Sequence, residues 1–155
     1  MIECYKQAVE DFKRVDHLFH VSLKYTRTVD VIRSVIERIV GTFENSIDAL
    51  LKCMGEEKEI LDFPENPVGK ANLVKEKIDN KEIIDNIDMY LRLRRLLRAE
   101  YTKREEFRRH VTMVTQFEGA VVDVDIDLLE VYYYDTKKFL TYIKSRVECH
   151  KEWPE

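Results

Sequence analysis

The sequence predicts an all-α protein, a four- to five-helix bundle of long antiparallel helices. Three observations carry that prediction. An apolar stripe runs unbroken from Leu18 to Met54 through Tyr25, Val29, Ile32, Ile36, Ile39, Phe43, Ile47 and Leu50. Its steps of mostly three and four residues put these side chains on one side of a helix, which no strand does. Only 4 glycines and 3 prolines interrupt 155 residues. Finally, Asp127 followed by Glu130 reads as a D-x-x-E capping box opening a last helix, whose inner face is Leu128, Tyr132, Phe139, Ile143 and Val147. A stripe of this kind must be covered by other helices.

The first helix is placed at residues 2–24, where Ile2, Tyr5, Val9 and Phe12 keep helical spacing. A second spans 28–54, with Thr26 or Thr28 as its cap and Asp30 favourably placed in its first turn. One continuous helix over both is the alternative. Gly41 allows a close helix contact or a small bend, and Gly55 reads as a stop. Pro64, Pro67 and Gly69 then break any helix, so residues 55–79 form a surface connection with at most a helical turn near Leu73–Ile78.

A third helix starts at Asn80 or Lys81 and continues to Phe117, with a bend near Thr102 and Lys103. Glu118-Gly119 ends it. Residues 121–126 alternate apolar and acidic side chains, but no partner strand is evident, so they read as an extended linker. Trp153-Pro154-Glu155 reads as a frayed tail. Together these elements make one domain over residues 1–155.

A net charge of −4 argues against a protein that coats nucleic acid generally, while leaving room for a local basic site. No run of 18 apolar residues exists to span a membrane, and the N-terminus, with acids in its first turns, does not read as a signal peptide. Cytoplasmic residence is the expectation. Two glutamines against many Lys, Glu, Ile and Val resemble the bias of proteins from hot environments.

Cys4, Cys53 and Cys149 are scattered and odd in number, which is neither a disulfide framework nor a zinc spacing. His17 with His20, and Cys149 with His150, are thin metal candidates. There is no Glu-x-x-His pair, and Asp123, Asp125 and Asp127 lack the glycine and distal glutamate of a calcium loop. No metal and no cofactor are expected. Tyr132-Tyr133-Tyr134 points rings in three directions, so at least one is exposed or lies in an interface.

The candidate chemistry lies in the basic run of residues 92–109 and in His110, which closes it. Arg92, Arg94, Arg95, Arg98, Lys103, Arg104, Arg108 and Arg109 face only Glu100, Glu105 and Glu106 in that span. Guanidinium groups suit phosphate, and Tyr90 and Tyr101 lie among them to stack on bases. The plainer reading is a solvated helix face with pairs such as Glu105 and Arg109. His110 closes the run. An imidazole can move a proton at a ribose 2′-OH or the leaving oxygen, while a guanidinium such as Arg104 stabilises charge on the phosphoryl oxygens. Six positions along a helix turn about 240°, so the two meet only through reach, a bend or a two-fold dimer.

A helical hairpin closing in Asp48-Ala49-Leu50-Leu51-Lys52, a connection, an Arg-rich helix carrying Arg104-Glu105-Glu106-Phe107-Arg108-Arg109-His110, and a final helix after an extended loop make a recognisable order. It resembles the HEPN superfamily of small helical domains. Glu105 departs from the small polar residue usual after that arginine. The resemblance implies a domain that binds or cuts RNA without metal, as an endoribonuclease or toxin-type protein. His110 is then the acid/base and Arg104 the phosphate-stabilising group, with Arg98, Lys103, Arg108 and Arg109 as further nucleic-acid contacts. It also implies a homodimer and a nucleotidyltransferase-like antitoxin partner. The alternative is a non-catalytic helical bundle acting through protein–protein interaction.

Overall fold

The computed structural model describes residues 1–149. Trp153–Glu155 and His150 lie outside the described residues. Helix α1 runs from Ile2 to His17 and continues through a π-helical turn, Leu18–Ser22, into Leu23–Tyr25. Helix α2 is Val29–Glu56, α3 Pro67–Lys77, α4 Lys81–Leu96 and α5 Ile126–Glu148. Between α4 and α5 lie three strands: β1 Glu100–Arg104, β2 Thr112–Phe117 and β3 Ala120–Val124.

The first two helices are separate, as expected, and form a hairpin rather than one continuous helix. Thr28 caps α2, its side chain accepting from the Val31 amide at 3.3 Å. The apolar stripe of α2 forms the core, with Ile32, Ile36, Ile39, Phe43 and Leu50 wholly buried. Helices α1 and α5 pack along it, and α3 and α4 cover the rest. Phe43 ties three helices together. Its ring stacks on Phe139 of α5 at 4.5 Å and on Tyr90 of α4 at 5.4 Å. Beside Gly41, the buried Asp11 of α1 accepts from Asn45 Nδ2 at 2.8 Å, so this polar group enters the helix seam satisfied.

The all-α expectation is corrected by the sheet. Helix α4 stops at Leu96 rather than running to Phe117. Val111–Phe117 is rich in β-branched residues, and its burial alternates from Met113 to Phe117. Glu118-Gly119 is a two-residue hairpin turn with φ of 50° and 80°, the doubly positive geometry that suits the twist of paired strands. Residues 120–124 are therefore a strand, paired antiparallel with β2, rather than a free linker. Strand order is β1-β2-β3, all antiparallel.

Register separates two faces. Tyr101, Thr115 and Val122 share the inner face with Met113 and Val124, the last two wholly buried. Thr102, Val114 and Asp123 share the outer face with Arg104. Both edge strands are short, and β1 is largely charged, which discourages pairing with another chain.

Three smaller corrections concern helix starts and stops. The cap of α5 is Asp125, whose Oδ1 accepts from the Leu128 amide at 2.9 Å, so the helix begins before the expected Asp127. Residues 55–79 are not only a connection. Asn66 accepts from the Gly69 amide at 2.6 Å and Pro67 takes the first turn, starting the 11-residue α3. At the end of α2, Gly55 remains helical and Lys58 adopts the left-handed conformation, with φ of 62°. Among the described residues, no helix is long and apolar enough to cross a membrane.

Candidate nucleic-acid site

The Arg104–His110 motif lies on the end of β1 and the loop that joins it to β2, not on a helix. That loop is short, exposed and pinned on several sides. Glu106 Oε2 accepts from the Val29 amide at 2.9 Å, adding a carboxylate to the Thr28 hydroxyl at the start of α2. The Phe107 amide donates to the Arg27 carbonyl at 2.6 Å. Inside the loop, Arg108 N–H donates to the Glu105 carbonyl and Val111 N–H to the Arg108 carbonyl, each at 3.2 Å. Thr112 Oγ1 donates to the His110 carbonyl at 2.9 Å. Lys103 bridges Asp30 at 3.4 Å and Glu106 at 3.8 Å, fastening strand, loop and helix start together.

These anchors set where the predicted site residues go. His110 and Arg109 line a cleft of about 270 Å3 with Arg27, Asp125, Ile126 and Asp127. The cleft opens between the loop, the α1–α2 turn and the amino end of α5. Among the described residues, the side chains of Arg27, Arg109 and His110 have no hydrogen-bond or ion-pair partner. Arg108 is exposed and likewise unpaired. Asp125 is committed to capping α5, which leaves Asp127 as the free carboxylate of the cleft.

Arg104 is not brought to this cleft. It reaches across the middle strand on the outer face of the sheet and pairs with Asp123 at 3.0 Å, both side chains about half exposed. Lys103 is held by its two carboxylates. Arg98 lines a separate groove with Arg94, Arg95 and Leu91. Arg94 pairs with Glu44 at 3.3 Å and Arg95 with Glu118 at 2.9 Å. The expected Glu105–Arg109 helical pair does not form, because neither residue is helical.

Neither tyrosine proposed as a base platform is available. Tyr90 is wholly buried and donates to Glu44 Oε2 at 2.9 Å. Burial and the neighbouring Glu44 carboxylate push its hydroxyl well above the ordinary tyrosine range. Tyr101 lies under the Arg33 guanidinium, 4.6 Å from it. Of the Tyr132–Tyr134 run, only Tyr134 is exposed.

Reading the sequence missed Arg27, Asp127, Tyr25 and Phe107. Phe107 was available as a signal. It is a single aromatic inside Lys103-Arg104-Glu105-Glu106-Phe107-Arg108-Arg109, and a helix drawn through to Phe117 lets it pass for core. Its ring is 75% exposed. His20, one of the thin metal candidates, lies 3.2 Å from Asp16. Among the described residues, no three His, Cys, Asp or Glu side chains come together as a metal site.

The cleft combines two guanidiniums that can hold a phosphate, an imidazole that can move a proton, and a carboxylate beside it. The chain matches no protein-family model, no curated protein and no solved structure.

Proposed function

We propose that this protein binds RNA at the cleft of Arg27, Arg109 and His110, and that His110 moves a proton at the bound backbone. One observation carries this reading. Arg27, from the α1–α2 turn, meets the adjacent Arg109 and His110 of the β1–β2 loop at one opening, and none of the three side chains has a partner among the described residues. Arg109 and Arg27 take over the phosphate-holding role that the sequence suggested for Arg104. In the transition state for attack by a ribose 2′-OH, charge builds on the phosphoryl oxygens, and paired guanidiniums stabilise it. His110 and Asp127 supply the imidazole and carboxylate that two proton transfers can use. Asp127 also offsets part of the local positive charge. The site therefore suits positioning and proton transfer more than tight electrostatic binding.

The test is incubation of the purified protein with mixed single-stranded and transfer RNA in the presence of EDTA, with products resolved on a denaturing gel. Cleavage by the wild type that is lost in His110→Ala, and weakened in Arg109→Gln but not in Arg104→Gln, is expected. Cleavage that survives His110→Ala removes the proton-transfer role. The Arg104–Asp123 ion pair favours a second reading, a non-catalytic module acting through a protein partner, with the homodimer and the antitoxin-type partner as its forms. Absence of both cleavage and RNA binding supports it.

A further inference from the structure

Phe107 is unusual in two ways at once. Its backbone has φ of 63°, a left-handed conformation that bulky residues avoid, and its ring stands 75% exposed. Burial would explain a strained aromatic, because the packing energy could offset the backbone cost. Here the ring has no such compensation. The backbone there is tied by the Glu106 cap on Val29 and the Phe107 amide on the Arg27 carbonyl before the ring, and by the Arg108 amide on the Glu105 carbonyl after it. The result is an apolar ring exposed to water on a backbone tied down by hydrogen bonds.

Its unpaired neighbours are three arginines beside one exposed carboxylate, Glu105. Arg108 and Arg109 follow it in the loop, and Arg27 lies across from it, all without partners among the described residues. Two residues before Arg27 stands Tyr25, 79% exposed. A flat ring flanked by unpaired guanidiniums is charge-complementary to a nucleotide strand, whose bases present π-faces and whose phosphates need donors. It is a poor match for a duplex, in which the base faces are already stacked on one another.

We propose that the cleft takes single-stranded RNA, with an unpaired base stacked on Phe107 while Arg27 and Arg109 hold the adjoining phosphate. Tyr25 is the second platform, for a neighbouring base. This inference rests on the reading of the cleft as an RNA site and adds the class of RNA and the residue that selects it.

The test measures fluorescence anisotropy of a labelled mixed-sequence oligoribonucleotide, alone and annealed to its complement, against protein over a salt series. The wild type is expected to prefer the single strand. Phe107→Ala should weaken that binding about ten-fold without changing the salt slope. Phe107→Trp should restore it, and Arg109→Gln should lower the slope by about one. Phe107→Gly, which suits the left-handed backbone, serves if the alanine variant folds poorly, and should show the same loss. Equal binding of duplex and single strand, or unchanged binding by Phe107→Ala and Phe107→Gly beside a binding wild type, overturns the inference and leaves the RNA reading intact. A wild type that binds neither strand overturns both.

Discussion

Helix α2 and the β1–β2 loop that covers its amino end are held by opposite means. More than half of the 28 side chains of α2 are buried, and its backbone is regular throughout. In the loop, Arg104 to His110 are exposed apart from Glu106, and Glu105 and Phe107 both have positive φ. The helix is stabilised by area removed from water, a contribution spread over many residues. The loop is stabilised by a few directed hydrogen bonds that hold it against its own backbone preference. Regions of the second kind are where exposed, functional side chains are carried.

Truncation should separate the two regions sharply. Phe43→Ala empties a wholly buried site at the junction of α2, α4 and α5, and should cost about 3–5 kcal/mol of unfolding free energy in a urea titration. A cost below about 1 kcal/mol would mean that the helical core is less tightly packed than described.

A second prediction concerns Cys53, also inside α2. Burial, with the Glu57 carboxylate at 3.5 Å, pushes its thiol up from 9.0 to about 11. A raised value means that the fold favours the neutral thiol. That part of the stability is fully present below pH 9 and is lost as pH rises through about 11. The alkaline decline in unfolding free energy should be shallower in Cys53→Ala than in the wild type. At neutral pH, a thiol reagent should label Cys53 only after unfolding, whereas the exposed Cys149 reacts in the native protein.

The smallest effect, with the opposite sign, belongs to the loop. Phe107→Gly removes a large side chain yet relieves the left-handed strain. Thermal unfolding should therefore show stability unchanged or raised by up to about 1 kcal/mol. A loss of several kcal/mol would show that the Phe107 ring is a packing element, and the contrast between the regions would disappear.

The same contrast explains what the sequence reveals. The start of α2, its Thr28 cap and the start of α4 at Asn80 are legible because periodicity and capping chemistry act locally. The sheet is hidden because a strand is defined by a neighbour. Val121–Val124 alternates plainly, but its partner, Val111–Phe117, also fits a loose helical spacing when Phe107 and Tyr101 are counted with it. Glu118-Gly119 then reads as a helix stop instead of a hairpin turn. The candidate site was half legible. His110 and Arg109 are conspicuous within a basic run. Arg27 and Asp127 have no local signature, since only the tertiary fold brings them to the cleft. Arg104 shows the converse, being prominent in the motif yet turned onto the far side of a sheet that was not foreseen.

The contact between Glu106 and Val29 joins residues 77 positions apart. The first amide of the longest helix is thus sealed by a segment made much later in synthesis. Its proton should exchange with solvent at the rate at which the loop lifts, not the rate at which the helix frays. A molecule bound in the cleft would slow that exchange, so one backbone proton inside the core layer becomes a gauge of occupancy at the surface.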